Sequence, residues 1–158
     1  MNLFSLEKSS SKVSSLSCFE IFLSRDFIYR RLRSFGFIHK IKNRPVSNSK
    51  YLFLSDANII KIFGFYATSF LNWFSCVLNI SDIKYTIELL RQSCFLTLCR
   101  KHNKRKAWAL DVFTSDLLIV ENLCFSYLVF PRKSFILNFK RNFSFYHSQL
   151  FFNENFFL

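Results

Sequence analysis

Glycine and proline are nearly missing from this chain of 158 residues, which contains only two of each. Folds built from many tight turns need glycine where the backbone adopts positive φ angles, so a sheet of short strands joined by hairpins is not expected. Helices need neither residue in their interiors. The scarcity therefore favours an all-α fold, and the length fits one domain with a single core.

Acidic residues are also scarce: ten Asp and Glu stand against 22 Lys and Arg, which gives a net charge of +12. The imbalance is concentrated in two stretches that contain no acid. Residues 27–55 hold seven Lys and Arg, and residues 89–110 hold six. We call these the first and second basic windows. Such charge favours a polyanionic partner, and the aromatic and amide side chains among the cations favour a nucleic acid.

Cysteine and histidine do not indicate a metal site or an active site. Five cysteines form an odd number without a CxxC pair, which argues against a disulfide framework and for a reducing compartment. Cys94, Cys99 and His102 supply only three ligands, without a second pair elsewhere. His39 and His147 have no Ser, Cys or acid partner at a recognised catalytic spacing. The prediction is therefore no metal, no other cofactor and no enzymatic activity.

One stretch, residues 62–81, carries no charge and is about as long as a bilayer-spanning helix. It contains six polar side chains, among them Asn72 and Asn79, which would be costly in the hydrocarbon. A buried amphipathic helix is the preferred interpretation, and no stable membrane insertion is expected. A small basic membrane protein with a span near 62–81 is kept as the alternative hypothesis.

Three stretches have apolar residues at helical spacing. Ser55 with Asp56 provides a start signal for the second stretch, and Ser81 with Asp82 provides one for the third. Pro45 interrupts the chain between the first two. These patterns predict a small helical bundle with helices over 26–35, 55–76 and 82–102.

A further helix is predicted over residues 114–128, ended by Pro131, while the sequence from residue 135 onward fits helix and strand equally well. The helical phase also predicts which side chains form the core between the helices. These are Ile59, Ile60, Phe63, Ile87, Leu90, Cys94 and Leu98.

Five motifs follow one another along residues 43–132. They are Pro45-Val46-Ser47; Asp56 with Ile59, Ile60, Phe63 and Gly64; Asn72-Trp73-Phe74-Ser75; Arg91, Ser93, Cys94, Thr97, Leu98, Cys99, Lys101 and His102; and Phe130-Pro131-Arg132. In order and spacing they resemble the maturase domain of group II intron-encoded proteins, called domain X or the thumb. The C-terminal part of the plastid tRNA-lysine intron maturases is the closer likeness. Asn43 and Cys76 stand where that pattern has glycine, and Phe113-Thr114-Ser115 stands where it has Leu-Gly-Ser.

The resemblance implies a largely helical RNA-binding module that assists the folding and excision of group II or group III-type introns. Its partner would be intron-containing RNA, and a separate reverse-transcriptase-type subunit is left open. The chain has no Asp-Asp pair and no zinc-endonuclease pattern, so the expected protein is a stand-alone domain X without catalytic parts. The 23 Phe residues are encoded by A/T-rich codons, which agrees with an organelle genome: a plastid, or alternatively a mitochondrion.

Three segments are predicted on this basis. Residues 1–25 form a flexible Ser-rich lead-in, residues 26–132 form the RNA-binding domain, and residues 133–158 form a Phe- and Asn-rich extension that matches the family only weakly. Because no acid lies between Glu88 and Asp111, the cations at 100–106 are expected to lack a counter-charge unless RNA provides it. The predicted RNA contacts are Arg30, Arg31, Arg33, Lys40, Lys42, Arg44, Lys50, Arg91, Arg100, Lys101, His102, Lys104, Arg105 and Lys106.

Overall fold

The computed structural model of the chain describes residues 4–7, 20–122 and 125–140. A short antiparallel pair of strands precedes the helices, and a second pair lies between the fourth and fifth helices. A 3-10 turn at Ser49–Tyr51 lies in the connection between the first and second helices. In chain order the elements are β1 (Phe4–Glu7), β2 (Glu20–Leu23), α1 (Arg25–Phe35), α2 (Asp56–Trp73), α3 (Ile80–His102), α4 (Lys106–Phe113), β3 (Ile119–Asn122), β4 (Phe125–Tyr127) and α5 (Lys133–Asn138).

The three predicted helices are confirmed as α1, α2 and α3. The hydroxyl of Ser55 accepts a hydrogen bond from the Asn58 backbone N–H at 3.3 Å, so it caps α2 as the sequence indicates. α3 begins at Ile80, slightly before the predicted position, with Asn79 as its N-cap residue. Gly36 ends α1 in the left-handed region at φ 80°, a conformation that glycine adopts without steric cost.

The core lies mainly between α2 and α3, and all seven predicted core side chains are fully buried. Ile83, Phe95 and Leu71 extend this core along the same two helices. The connection after α1 contributes Phe37, whose ring lies 5.0 Å from that of Phe63 between centroids. Spacing of 3–4 residues therefore identified the inward faces of both long helices correctly.

The predicted helix over 114–128 is wrong. α4 ends at Phe113, and Thr114 and Leu117 both adopt positive φ of 57°, which a continuing helix cannot accommodate. β3 and β4 then pair antiparallel. Leu117 and Ile119 are buried with a less buried Leu118 between them, so the burial follows the two-residue period of a strand. The helical spacing of apolar residues in this segment was therefore outweighed by burial against the rest of the fold and by β-branched residues, which favour a strand.

The last residues of the predicted lead-in include β2, which contacts the helical domain. Leu23 is buried at the end of β2, and its N–H donates to Asn79 Oδ1 at 3.0 Å. The Asn79 amide donates back to the Leu23 carbonyl at 2.7 Å, which fastens β2 to the start of α3. In the predicted extension, α5 buries Ile136, and residues 141–158, including His147, lie outside the described residues.

Within the described part of the chain, none of the helices has the length and hydrophobicity that crossing a bilayer requires. The uncharged stretch 62–81 is divided between the end of α2 and the start of α3.

Candidate nucleic-acid interface

The two basic windows come together because the segment between α1 and α2 lies across the C-terminal half of α3. The Ser93 hydroxyl donates to the Val46 carbonyl at 2.6 Å. The Asn48 backbone N–H donates to Thr97 Oγ1 at 3.0 Å. Ser93 and Thr97 are four residues apart and share one helix face, so the segment follows that face towards the helix end. We call this set of contacts the loop–helix joint.

Close to the joint, Arg100 Nη1 donates to Ser47 Oγ at 3.3 Å. Lys101 Nζ donates to the Leu54 carbonyl at 2.6 Å. Each of these bonds connects a residue of the second window to one of the first. The loop at residues 46–54 and the end of α3 at residues 93–101 therefore lie side by side. We call the surface formed by the two basic windows around these contacts the joined surface.

The first window is held in a defined shape by its own backbone. The His39 N–H donates to the Arg44 carbonyl at 2.9 Å, and the Val46 N–H donates to the Phe37 carbonyl at 3.1 Å. At the tip, His39 Nδ1 accepts from the N–H groups of Ile41 and of Lys42, both at 3.2 Å. Phe37 anchors this loop in the core. Lys40 and Lys42 at the tip are therefore exposed on a loop whose start is buried in the core.

The fourteen predicted contact residues differ in exposure. Four are partly buried: Arg31, Arg33, Lys101 and His102. Arg33 Nη2 donates to Asn43 Oδ1 at 2.7 Å and so links α1 to the first-window loop. Arg91 is buried. The remaining nine are exposed: Arg30, Lys40, Lys42, Arg44, Lys50, Arg100, Lys104, Arg105 and Lys106.

Arg91 does not lie where an RNA contact requires it, and the sequence assignment is corrected on this point. Its side chain is only 3% exposed. Its guanidinium donates to the Ser115 carbonyl at 2.8 Å and to the Pro131 carbonyl at 2.7 Å, and Cζ lies 4.9 Å above the Phe130 ring. Arg91 therefore holds the segment after α4 against α3.

The expectation that the cations of the second window lack a counter-charge is also corrected, because Asp56 provides one from α2. Lys101 Nζ lies 2.6 Å from Asp56 Oδ1, and His102 Nε2 lies 2.8 Å from Asp56 Oδ2. His102 also packs on Trp108, with 4.7 Å between ring centroids. Lys101 and His102 are thus engaged within the domain, while Lys104 and Arg105 are exposed beyond the helix end.

The ion pairs shift the acid–base equilibrium of Asp56. Burial raises the pKa of this carboxyl, but hydrogen bonds from Lys101 and His102 outweigh burial, so the pKa lies below its ordinary value. Asp82 also has a lowered pKa, because Arg25 pairs with it at 2.8 Å. A carboxyl with a lowered folded-state pKa stabilises the fold above its unfolded pKa of about 3.9 and loses that contribution as the pH falls through the folded value.

We therefore expect Asp56→Asn to cost at most about 1 kcal/mol in free energy of unfolding near pH 6, since the pair is partly solvated. The difference from wild type should shrink as the pH falls below about 3.9, the ordinary pKa of an Asp carboxyl, because the wild-type carboxyl is progressively protonated there. Urea unfolding of both proteins across this range measures it. An equal difference at every pH would show that Asp56 acts through packing and not through its charge.

The cysteines near the joined surface lie in unsuitable positions for a metal. Burial raises the pKa of the Cys94 thiol, which disfavours the thiolate that a metal needs as ligand. Cys99 is also buried, and its pKa is raised for the same reason. In the described ranges no three His, Cys, Asp or Glu side chains are grouped closely enough to hold a metal ion.

The contacts of the joint, and the hydrogen bonds and ion pairs beside it, coincide with the motifs that run along the sequence: Ser47, Asp56, Ser93, Thr97, Lys101 and His102. The sequence as a whole matches the type II intron maturase family over residues 24–148. The chain belongs to this family. The chain is also 43% identical over 132 residues to Maturase-like protein 2 of Euglena gracilis, a match that covers 84% of this chain and 17% of that protein. The chain thus spans about a sixth of the length of this relative.

The contacts of the joint explain why the fourth motif, Arg91 to His102, contains polar residues on a buried helix face. Ser93 and Thr97 are fully buried, and they bind backbone groups of the first-window loop. The sequence does not single out Asn48 or Phe53, although Asn48 is buried in the joint and Phe53 is exposed on the same connection. Asn48 lies in a Ser- and Asn-containing stretch typical of any turn, and Phe53 is one of 23 Phe residues.

Proposed function

We propose that this maturase domain binds intron-containing RNA through the joined surface and assists the folding and excision of group II or group III-type introns. The protein contributes no bond-breaking step of its own in this proposal. An organelle is the proposed compartment, a plastid before a mitochondrion, because the Lys101-His102 and Phe130-Pro131-Arg132 motifs resemble the plastid form. Membership of the intron maturase family and the A/T-rich composition support this reading.

The observation that carries the proposal is the juxtaposition of two acid-free basic windows by uncharged contacts. Ser93, Thr97 and their loop partners make the joint without using cations, so the exposed Lys and Arg side chains around it remain available to phosphates. Positive charges on one surface repel each other, which a bound polyanion would relieve. A surface that carries cations from both windows fits the backbone of a folded RNA better than a small anion.

The cations have a direct role in such a complex. Intron folding brings phosphate backbones close together, and Lys and Arg side chains lower the repulsion between them while releasing condensed counterions. Phosphate contacts set the register of the protein on the RNA, and contacts to bases supply selectivity. The domain would therefore stabilise a compact intron conformation, and the intron itself would carry out the transesterification.

Salt dependence of binding tests the proposal. Log affinity for a group II intron transcript should fall linearly with log salt concentration, with a slope of about −0.7 per phosphate contact on single strands. Arg44→Gln with Lys50→Gln removes two cations from the first window, and Lys104→Gln with Arg105→Gln removes two from the second. Each pair should flatten the slope by about 1.4.

A matched control is Arg132→Gln with Lys133→Gln, which removes the same charge from an exposed site outside both windows. This control should leave the slope close to that of wild type. Equal slopes for all three double variants would show that affinity follows net charge alone, and the joined surface would not be the binding site. Far-ultraviolet circular dichroism checks that each variant keeps its helix content.

A further inference from the structure

One aromatic side chain on the joined surface is left almost entirely in solvent. Phe53 is 82% exposed, although a Phe side chain is stabilised by roughly 1.5–3 kcal/mol when it is fully buried. It lies between the 3-10 turn Ser49–Tyr51 and the N-cap of α2. Tyr51, in the same turn, packs inward, with its ring centroid 5.9 Å from that of Phe63. Of these two neighbouring aromatic residues, Tyr51 therefore packs towards the core and Phe53 lies in solvent.

The exposure of Phe53 does not arise from a loose segment. On one side, Asn48 is buried against α3, and its Oδ1 accepts from the Lys50 N–H at 3.1 Å. On the other side, the Leu54 N–H donates to the Tyr51 carbonyl at 3.1 Å, and the Leu54 carbonyl accepts from Lys101. The backbone is therefore fixed on both sides of the ring, and binding a partner there would cost little ordering entropy.

The surroundings of the ring carry a net positive charge, because Asp56 pairs with only one of the three nearby cations, Lys101. Lys50 is exposed three residues before it, and the hydrogen bond from Lys101 to Leu54 places the C-terminal end of α3 beside it. Arg100, exposed on that helix end, donates to Ser47 of the same loop. An uncharged flat ring bordered by cationic side chains is the arrangement that proteins use to bind single-stranded nucleic acids, since bases stack on the ring while the cations neutralise the backbone.

We propose that Phe53 is a stacking platform for an unpaired nucleobase of the bound RNA. This inference rests on the proposed function and adds the structural class of RNA that the site takes, a single-stranded loop or junction. Bases within a duplex are already stacked on their neighbours, so they offer no face to the ring. The cations beside the ring favour an anionic partner over an apolar protein surface.

The test uses the full chain and two RNAs of equal length, an unstructured single strand and a blunt-ended duplex of that strand with its complement. Phe53→Ala should lower affinity for the single strand by about 5- to 100-fold and leave duplex affinity within about twofold. Its salt slope should equal that of wild type, because no phosphate contact is lost. Phe53→Trp should bind as tightly as wild type, and RNA should quench the additional tryptophan fluorescence.

Two controls separate stacking from general apolar contact. Phe65→Ala removes a ring that is 59% exposed on α2 outside both windows, and it should not change RNA affinity. Phe53→Leu keeps an apolar side chain without an aromatic face, and it should bind the single strand as weakly as Phe53→Ala.

Four outcomes would overturn the inference. They are an unchanged single-strand affinity in Phe53→Ala, an equal loss on the duplex, full retention of affinity in Phe53→Leu, and Phe53-dependent binding to anionic phosphatidylserine vesicles without binding to RNA. The first three leave the proposed function intact when wild type still binds RNA with a steep salt slope. Absence of RNA binding by wild type would instead remove the proposed function itself.

Discussion

Arg91→Met is expected to lower the free energy of unfolding by about 2–4 kcal/mol, because it removes a buried guanidinium that donates charged hydrogen bonds to two backbone carbonyls. Methionine fills a similar volume, so loss of packing contributes little. The carbonyls of Ser115 and Pro131 lose their guanidinium donor. A hydrogen bond to a charged group contributes about 1.5–3 kcal/mol, and less where water replaces it, as at the exposed Ser115 and the half-buried Pro131. Urea unfolding followed by circular dichroism measures the change.

Arg100→Met is the matched control, since Arg100 is exposed on the same helix, and we expect its effect to stay within about 0.5 kcal/mol. Hydrogen exchange adds a readout specific to the role of Arg91. In Arg91→Met the amides of β3 and β4 should lose protection before those of α2 and α3, because their attachment to α3 is what the variant weakens. A stability change as small as that of Arg100→Met would contradict the network described for Arg91.

Ser93→Ala combined with Thr97→Val is expected to detach the first-window loop without changing any charge. The Asn48 N–H would lose its acceptor and the Val46 carbonyl would lose its donor, at a combined cost of roughly 2–4 kcal/mol in stability. RNA affinity should also fall, because the two windows would no longer be held in one arrangement. Unfolding experiments and RNA titration at one salt concentration measure the two effects.

Thr86→Val is the control for this variant. Thr86 is buried on the same helix, but its hydroxyl donates at 2.8 Å to the Asp82 carbonyl within α3 and makes no bond to the loop. We expect it to leave RNA affinity unchanged. If Ser93→Ala with Thr97→Val bound RNA as wild type does while remaining folded, alignment of the two windows by the joint would not be required for binding.

The parts of the fold that depend on local sequence were predictable. Ser55 and Asp56 identify the start of α2 because a hydroxyl next to an acid satisfies the free N–H groups of a first turn. The spacing of Ile87, Leu90, Cys94 and Leu98 identifies the buried face of α3 because a helix repeats every 3.6 residues. Neither inference requires knowledge of what the helix packs against.

The parts that depend on distant partners were not predictable. Nothing near Lys101 indicates that Asp56, 45 residues away, neutralises it. The sequence around Arg91 does not show whether its side chain is buried or exposed. The carbonyls that it binds lie 24 and 40 residues further along the chain. The segment after α4 was predicted wrongly for a related reason: apolar residues such as Leu117 and Ile119 fit a helix or a strand until the surface that covers them is known.

The central claim is that both basic windows contact one RNA molecule at the same time. Photocrosslinking of the full chain to a 4-thiouridine-substituted intron fragment tests it most directly. Digestion with chymotrypsin is suitable because trypsin would cut the basic segments into very short peptides. We expect mass spectrometry to find RNA adducts within residues 40–55 and within residues 100–110, and both sets should disappear together in Ser93→Ala with Thr97→Val. Adducts confined to one window, or concentrated near Arg132 and Lys133, would contradict the account.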